Sequence, residues 1–294
     1  MSASSHPLPA DPFEPRATDM TTQESMVSPQ GPLSDGNASA AAAAAVPLTH
    51  RLNRLTLIVP VYNEVTYLET VLHRLSSVDY CGLKVDIIIV NDASTDGTAA
   101  LADTLAQQSR QTARRGMKNA LPPIRVFHHE TNQGKGAAIR TGLRHAAGDL
   151  IAIQDADLEY NPAEYPRLIE ALLEHDAPVV YGSRFRDIAA QGDHWTHRVG
   201  NRLLTAMTNQ LYGAELTDME TCYKIFRAPV LQALTLRANR FDFEPEVTAK
   251  LLKAGVPIRE VSISYEGRTF EAGKKITWRD GLMAMWTLLR YRFA

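Results

Sequence analysis

From residue 55 onward the chain alternates between short apolar runs and longer stretches whose apolar positions recur at helical spacing. The runs at 55–62 (LTLIVPVY), 85–90 (VDIIIV), 124–128, 150–154 and 178–182 are rich in apolar residues, as strands covered on both faces require. Between them Leu68, Val71, Leu72 and Leu75 mark one helical face. Leu101 and Leu105 mark a second, behind a cap at Ser94 or Thr95, and 134–147 reads as a third helix. Asn161-Pro162 supplies an N-cap and first-turn proline for a fourth, whose stripe is Tyr165, Leu168, Ile169 and Leu172. Strands alternating with helices predict an α/β fold, a mostly parallel sheet flanked by helices. After Arg184 the order changes to a helix over 196–212, a strand over 222–227, a helix over 244–254, a strand over 256–265 and a helix over 277–294.

Ligands of such sheets bind outside the carboxyl ends of the strands. The polar exceptions gather at those ends: Asn63-Glu64, Asn91-Asp92, Asp155-x-Asp157 and Ser183-Arg184. A solvated loop explains any one of them, but four on one rim predict a site. The densest is LIAIQDADLEYN at 150–161, where a buried run leads directly into Asp155, Asp157 and Glu159. Unpaired charge is costly to bury. Extended geometry carried past the strand sets the three acids on one side of the chain, an oxygen-donor set suited to Mg²⁺ or Mn²⁺. Taken alone, the Asp-x-Asp is more simply a surface turn ending at Asn161-Pro162. Gly134-Lys135-Gly136 opens a helix whose free backbone N–H groups favour an anion, unless the glycines serve close helix–strand packing. It matches neither a P-loop nor a dinucleotide fingerprint.

Composition narrows the picture. In 294 residues, 45% of them hydrophobic, there is room for one large α/β domain or two small ones. A net charge of -2 gives no case for nucleic acid as a partner. Cys81 and Cys222 cannot build a disulfide framework and read as reduced thiols of a cytoplasmic protein. No run approaches the roughly 20 apolar residues of a transmembrane helix, and the polar, proline-containing N-terminus is unlike a secretory signal. Residues 1–50, rich in Ser, Pro and Ala with an alanine run at 40–45, are expected to form a disordered leader. That leaves 51–280 as the folded domain and 281–294 as an amphipathic helix. On the helix Leu282, Met285, Trp286 and Leu289 share a face, with Arg290 and Arg292 near its end, which suits contact with anionic lipid or packing on the core.

The segments VPVYNE (59–64), VNDASTDGT (90–98), NQGKGAAIRTG (132–142), GDLIAIQDADLEY (148–160) and YGSR (181–184) occur in that order. Together they resemble family 2 glycosyltransferases of the GT-A (Rossmann-like) fold, with C-terminal helices on the acceptor side. Within that family they are most similar to the dolichol-phosphate mannose synthase and polyprenyl-phosphate glucosyltransferase branch. TDMETCYKIFR, FDFEPEVTAKL and YEGRTFEAGKKITWRDG extend the resemblance to about residue 285.

The resemblance implies roles. Pro60, Tyr62, Glu64 and Asp92 would grip the donor nucleoside, with Lys135 close by. Asp155, Asp157 and Glu159 would hold the Mg²⁺ or Mn²⁺ that bridges the donor diphosphate, although close relatives place glutamine where Glu159 stands. Arg184, Arg198, Arg202, Arg268 and Lys274 would bind donor and acceptor phosphates. Asp157, Arg184 and Asp218 are the expected catalytic set. Asp218 would be a general base for a hydroxyl acceptor; a phosphate acceptor is already anionic, and the acid would then organise basic partners. Where the family has two acids this chain has Asn91-Asp92, one charge fewer.

The expected activity is metal-dependent, inverting transfer of a hexose from a UDP- or GDP-sugar to a polyprenyl phosphate. The protein is expected at the cytoplasmic face of the membrane, with peripheral contact through 281–294. The alternatives are the same donor chemistry with a soluble saccharide or other hydroxyl acceptor, and a non-catalytic nucleotide-sugar binding module. The presence of both Asp155 and Asp157 argues against the last, and the order of the acidic blocks argues against a nucleotidyltransferase.

Overall fold

A computed structural model describes residues 25–27, 38–47, 52–115, 121–186, 195–267 and 278–294, with backbone only at 25–27 and 195–198. In chain order the elements are β1 (Ser25–Val27), α1 (Ala38–Ala45), β2 (Arg54–Val61), α2 (Leu68–Ser76), β3 (Lys84–Asn91), α3 (Thr98–Arg114), β4 (Ile124–His128) and α4 (Lys135–His145). Then come β5 (Leu150–Ile153), a 3₁₀ turn (Pro162–Glu164), α5 (Tyr165–Glu174), β6 (Val179–Ser183), α6 (Trp195–Tyr212), β7 (Lys224–Arg227), α7 (Ala228–Gln232), α8 (Phe243–Lys253), β8 (Ile258–Ser262) and α9 (Trp278–Phe293). Among the described residues these strands make one sheet in the order β1-β8-β6-β7-β5-β2-β3-β4.

The pairs β2·β3, β2·β5, β3·β4 and β6·β8 are parallel, so the alternation of strand and helix was a sound guide over most of the chain. The departure is β7, which inserts antiparallel between β5 and β6. Its amino end therefore meets the carboxyl ends of its neighbours, and the turn before it joins the same rim.

Period-two alternation sorts β2 between two cores. Leu55, Leu57 and Val59 pack beneath α2, α3 and α5, while Ile58 joins Ile139 of α4 and the layer built from α6 to α9. The expected stripes of α2 (Leu68, Val71, Leu72, Leu75) and α5 (Tyr165, Leu168, Ile169, Leu172) are all buried. As expected, Asn161 caps the 3₁₀ turn, its side chain accepting from the Ala163 amide. The α3 cap differs: Asp96 Oδ1, not Ser94 or Thr95, accepts from the Thr98 amide at 3.0 Å.

The leader expectation needs correction at two places. β1 lies antiparallel on β8, and the alanine run forms α1, with Ala40 buried in the core layer that holds α7. An alanine helix is too short to persist alone in water, but methyl-sized side chains let it lie close on the domain. Arg227 Nη1 fixes its end by donating to the Val46 carbonyl at 2.7 Å.

On α9, Ala284, Thr287 and Leu288 are buried, and Tyr212 of α6 donates to the Leu288 carbonyl at 2.7 Å. Met285 packs inward, so it does not share the outward face of Leu282, Trp286 and Leu289.

The approach of α4 to β2 is set by glycine. A Cβ at Gly142 would stand 2.5 Å from Ile58 Cγ2, inside any real contact distance. Gly142→Ala is expected to lower unfolding stability by about 1–3 kcal/mol. Combined with Ile58→Ala, the loss is expected to be smaller than the two single losses summed; strict additivity in denaturant melts would contradict this contact.

Candidate active site

The parallel register brings Asn63-Glu64, Asn91-Asp92, Asp155 and Ser183-Arg184 to one edge of the sheet, with Cys222 and Tyr223 entering from β7. The loops after β2 and β3 are tied together there. The Asn63 amide donates to Ser94 Oγ at 3.0 Å, Thr95 donates to Asn63 Oδ1 at 2.8 Å, and the Glu64 amide donates to Thr98 Oγ1 at 2.9 Å. Asp96 accepts from Thr98 and Val65, and these bonds outweigh partial burial to hold its carboxyl below the usual range. Pro60 and Tyr62 are half-buried beside these loops, and Glu64 is buried.

Asp92 has a structural occupation. Its buried carboxylate lies 2.7 Å from His129 Nδ1 and accepts from the backbone amides of Gln133 (2.8 Å) and Gly134 (2.7 Å). His129 in turn reaches Thr141 Oγ1 at 2.9 Å. Asp92 thus clamps the loop that leads into α4. His129 and Thr141 were not singled out in the sequence, where only the neighbouring Asp92 and Gly134 stood out.

The expectation of an anion seat on free N–H groups at Gly134-Lys135-Gly136 is not met. The amides of Gly136 and Ala137 donate to the carbonyls of Arg240 (3.2 Å) and Asn239 (3.0 Å). The glycines are there for contact, since a Cβ at Gly136 would lie 2.6 Å from the Ala238 carbonyl oxygen. Arg140, on the same helix, bonds Asn239 Oδ1. What this packing presents to the rim is Lys135. Its ammonium sits 2.9 Å from Asp155 Oδ1, 3.1 Å from Glu244 Oε1 and 3.0 Å from Cys222 Sγ. Burial pulls its pKa down, but the carboxylates of Asp155 and Glu244, with the hydrogen bond to Cys222 Sγ, outweigh that and hold it well above the ordinary lysine value. Burial, reinforced by Asp155, raises the Cys222 thiol, so the sulfur here is a neutral neighbour.

The extended geometry expected past β5 stops at the strand end. The segment turns through Leu158 at φ +63°, and Asp157 Oδ1 accepts from the Glu159 amide at 3.1 Å. Glu159 is drawn to Tyr265, whose hydroxyl donates to Oε2 at 2.6 Å. Among the described residues no three His, Cys, Asp or Glu side chains form a metal-holding group. A three-acid cage with Glu159 is therefore not preformed. Asp155 and Asp157 remain half-buried at the rim and fit a hard cation of the Mg²⁺ type, which takes one or two carboxylates and completes its shell with water and substrate phosphate.

On the far side of β7, Arg184 and Asp218 form a bidentate pair, Nε to Oδ2 at 2.7 Å and Nη2 to Oδ1 at 2.8 Å. The Arg184 amide and Asn201 Nδ2 donate to the same carboxylate at 3.0 and 2.9 Å. Burial raises the Asp218 carboxyl, but the Arg184 charge and these bonds overcome it and hold the group below the usual range. Glu260, fully buried, accepts from the amides of Thr217 (2.8 Å) and Asp218 (3.0 Å) and so braces the loop from beneath. The guanidinium of Arg184 lies 4.9 Å from the Tyr265 ring centroid, and Tyr265, Tyr160 and Tyr223 form an aromatic floor, with Tyr160 stacked on Tyr223 at 5.1 Å.

Of the remaining expected cations, Arg202 is exposed on α6, Arg198 has only its backbone described, and Arg268 and Lys274 lie outside the described residues. Asn201 and Glu260 are contributors that the sequence reading passed over, while Cys222 was read only as a reduced thiol and Glu244 only as an acid at a helix start.

A model of glycosyl transferase family 2 matches residues 56–235. The chain is 31% identical over 261 residues to an undecaprenyl-phosphate mannosyltransferase of Micrococcus luteus, an alignment covering 81% of this chain and 98% of that protein. It is 30% identical over 247 residues to a UDP-N-acetylglucosamine--dolichyl-phosphate N-acetylglucosaminyltransferase of Methanococcus voltae, covering 79% and 97%. Among solved structures it resembles UDP-bound glucosyl-3-phosphoglycerate synthase from Mycobacterium tuberculosis, at TM-score 0.58 and 20% identity over 90% of this chain and 86% of that one. The same enzyme solved with Mn²⁺, UDP and phosphoglyceric acid gives TM-score 0.58 at 18% identity, over 90% and 84%.

Asp218→Asn leaves a largely buried guanidinium without its counter-charge and is expected to cost about 3–5 kcal/mol of stability, read as a lower denaturation midpoint. The folded carboxyl lies below its unfolded value of about 3.9. The pair's contribution is thus complete above that value and lost as pH falls through the lower folded one. The wild-type advantage over the variant is expected to shrink on acidification below about pH 4; an advantage constant down to unfolding would contradict the assignment.

Proposed function

Since the chain belongs to glycosyl transferase family 2 and has the GT-A fold, we propose that this glycosyltransferase moves a hexose from a UDP- or GDP-linked donor to a polyprenyl phosphate, with inversion. The observation that carries the acceptor class is the Arg184–Asp218 pair. An acid held below its usual range and saturated by a guanidinium, an amide and Asn201 is a poor general base. It is a good anchor for a cation. Pairing uses Nε and Nη2 of Arg184, and the remaining N–H groups are those offered to an anion. A phosphate acceptor needs that charge and needs no base. The names of two relatives, transferases to undecaprenyl and dolichyl phosphates, support the same class.

The chain's own residues then divide the work. Pro60, Tyr62 and Glu64 line the donor nucleoside side, and Asp92 positions the loop that delivers Lys135. Asp155 and Asp157 would hold Mg²⁺ or Mn²⁺, which when bound offsets the charge gathered on the departing nucleoside diphosphate. Lys135 keeps a positive charge next to Asp155 at the same place. Arg184 steers the acceptor phosphate oxygen from the β6 side, while the donor acids stand at the end of β5, with β7 between them. Attack from one side and departure toward the other is a single displacement, which inverts the anomeric carbon.

A lipid acceptor calls for a surface that meets the bilayer. No helix among the described residues is long and apolar enough to cross a membrane. α9 instead turns one face to the core and leaves Trp278 (72% exposed), Leu282, Trp286 (61%), Leu289 and Phe293 (79%) outward, and the α6 helix packed against it also exposes Val199 and Leu203. Arg279 and Arg290 flank this stripe, the pattern of a helix resting in an anionic interface. On this reading the protein works at a membrane surface.

The test is a panel of UDP- and GDP-hexoses with Mg²⁺ or Mn²⁺, with and without a short polyprenyl phosphate, products divided by solvent extraction. Lipid-soluble labelled sugar is expected with one donor, and Asp157→Ala is expected to abolish it by a factor of about 100 or more. Label confined to the aqueous phase removes the lipid acceptor; equal turnover by Asp157→Ala removes the metal assignment. In flotation with vesicles containing anionic lipid, Trp286→Ser is expected to reduce bound protein about fivefold or more. Unchanged flotation would remove the α6–α9 face as the docking surface.

A further inference from the structure

The turn 218–222 links the two halves of the site. Asp218 at its start grips Arg184, and Cys222 at its end touches Lys135 and Glu244. Glu220 stands midway, and nothing assigned so far uses it. Its side chain is half-buried, its Oε1 is sealed from solvent, and that oxygen has no hydrogen-bond partner. The charges that act on it are Glu244, Lys224, Arg184 and Asp218, one set from each half of the site. Each neighbouring cation is already committed. Lys224 Nζ donates to the carbonyls of Met219 (3.0 Å) and Thr221, Arg184 is paired with Asp218, and Lys135 with Asp155 and Glu244.

A carboxyl oxygen buried without a partner is a standing cost, and native proteins keep few of them. The place of this one narrows what completes it. Another anion is repelled by Glu244 and Asp218. A hydroxyl is both donor and acceptor, so it meets a carboxyl in either protonation state. The moving sugar is the hydroxyl-rich part of the substrates, and with the donor at Asp155 and the acceptor phosphate at Arg184, as proposed above, it passes between them.

We propose that Glu220 is a specificity-determining residue that hydrogen-bonds a hydroxyl of the transferred sugar and holds the ring between donor and acceptor sites. This rests on the nucleotide-sugar reading given above. Burial and the nearby Glu244 push the Glu220 carboxyl up to about 8, so near neutral pH both forms of the group meet the ligand. The role differs from that of Asp218, which acts through Arg184 and touches no sugar.

Calorimetric binding of UDP, UDP-glucose, GDP and GDP-mannose, each with Mn²⁺, to the wild-type protein and to Glu220→Ala, Glu220→Asp and Glu220→Gln tests the assignment. Alanine removes the group, aspartate withdraws it by one methylene, and glutamine keeps a donor and an acceptor in place. The alanine and aspartate variants are expected to bind the preferred nucleotide sugar about 3- to 10-fold more weakly. Their affinity for the parent nucleoside diphosphate is expected to change less than about twofold, and glutamine to retain most of the sugar affinity. Melting temperatures are expected to hold or rise, since no protein hydrogen bond is lost and a buried unpaired oxygen is removed. Equal weakening of sugar nucleotide and diphosphate, a lowered melting temperature in all three variants, or unchanged affinities throughout would each overturn the inference while leaving the donor reading intact. Wild-type protein that binds neither nucleotide sugar overturns the donor reading, and the inference with it.

Discussion

Carboxylates carried to the edge of an apolar sheet have to find compensation, and the way they do so organises this molecule. Asp155 and Glu244 share the ammonium of Lys135, and Asp218 takes the guanidinium of Arg184. Asp92 takes two backbone amides and an imidazole, and Glu260 takes two further amides. In every case the acid fixes a loop as well as its own charge. The rim is a set of pinned turns presenting two cations, Lys135 beside the end of β5 and Arg184 beside the end of β6. Breaking one of these pairs costs more than the pair itself contributes, because the survivor stays buried and unmatched.

The same device continues to the far end of the chain. Glu246 is fully buried, and its carboxylate accepts from the amides of Arg237 and Ala238 and from Tyr291 of α9 at 2.6 Å. The next carbonyls, Asn239 and Arg240, receive the first amides of α4. One buried acid therefore sits between the helix that carries the exposed Trp286 and the helix start that delivers Lys135. The exposed apolar face of α9 and the Lys135 end of α4 are built on one scaffold, with glycine at 134 and 136 because the backbones touch there.

Most of the sheet was readable in the apolar runs, because they are only four to eight residues long, rich in Ile and Val and closed by turn-forming residues, which favours strand over buried helix. Four rim positions followed from it, since parallel strands must end together. The insertion of β7 was not readable. KIFR pairs with strands distant in sequence, and the direction of a four-residue strand leaves no mark on its composition. α1 was missed because propensity judges an alanine run alone, whereas its burial comes from the domain beneath it. Asp92 and Glu159 show the limit at single residues. Spacing put both at the rim, but whether a carboxylate faces a ligand or a neighbouring amide depends on what the rest of the chain delivers, here Gly134 and Tyr265. Glu244 and Glu246 read from sequence as acids at a helix start, Glu246 with the option of facing the site, and Glu260 carried no signal; all three became structural through contacts with remote residues.

The central claim is that two acids at the end of β5 make a cation site only when a diphosphate completes it. Calorimetric titration of Mn²⁺ into the protein, alone and with saturating UDP or GDP, tests this most directly. The expected result is weak binding alone and affinity at least about 10-fold higher with the matching diphosphate, a coupling of about 1.4 kcal/mol, lost on Asp155→Asn or Asp157→Asn. Binding of Mn²⁺ that is equally tight with and without either diphosphate, or that survives both substitutions, would contradict it.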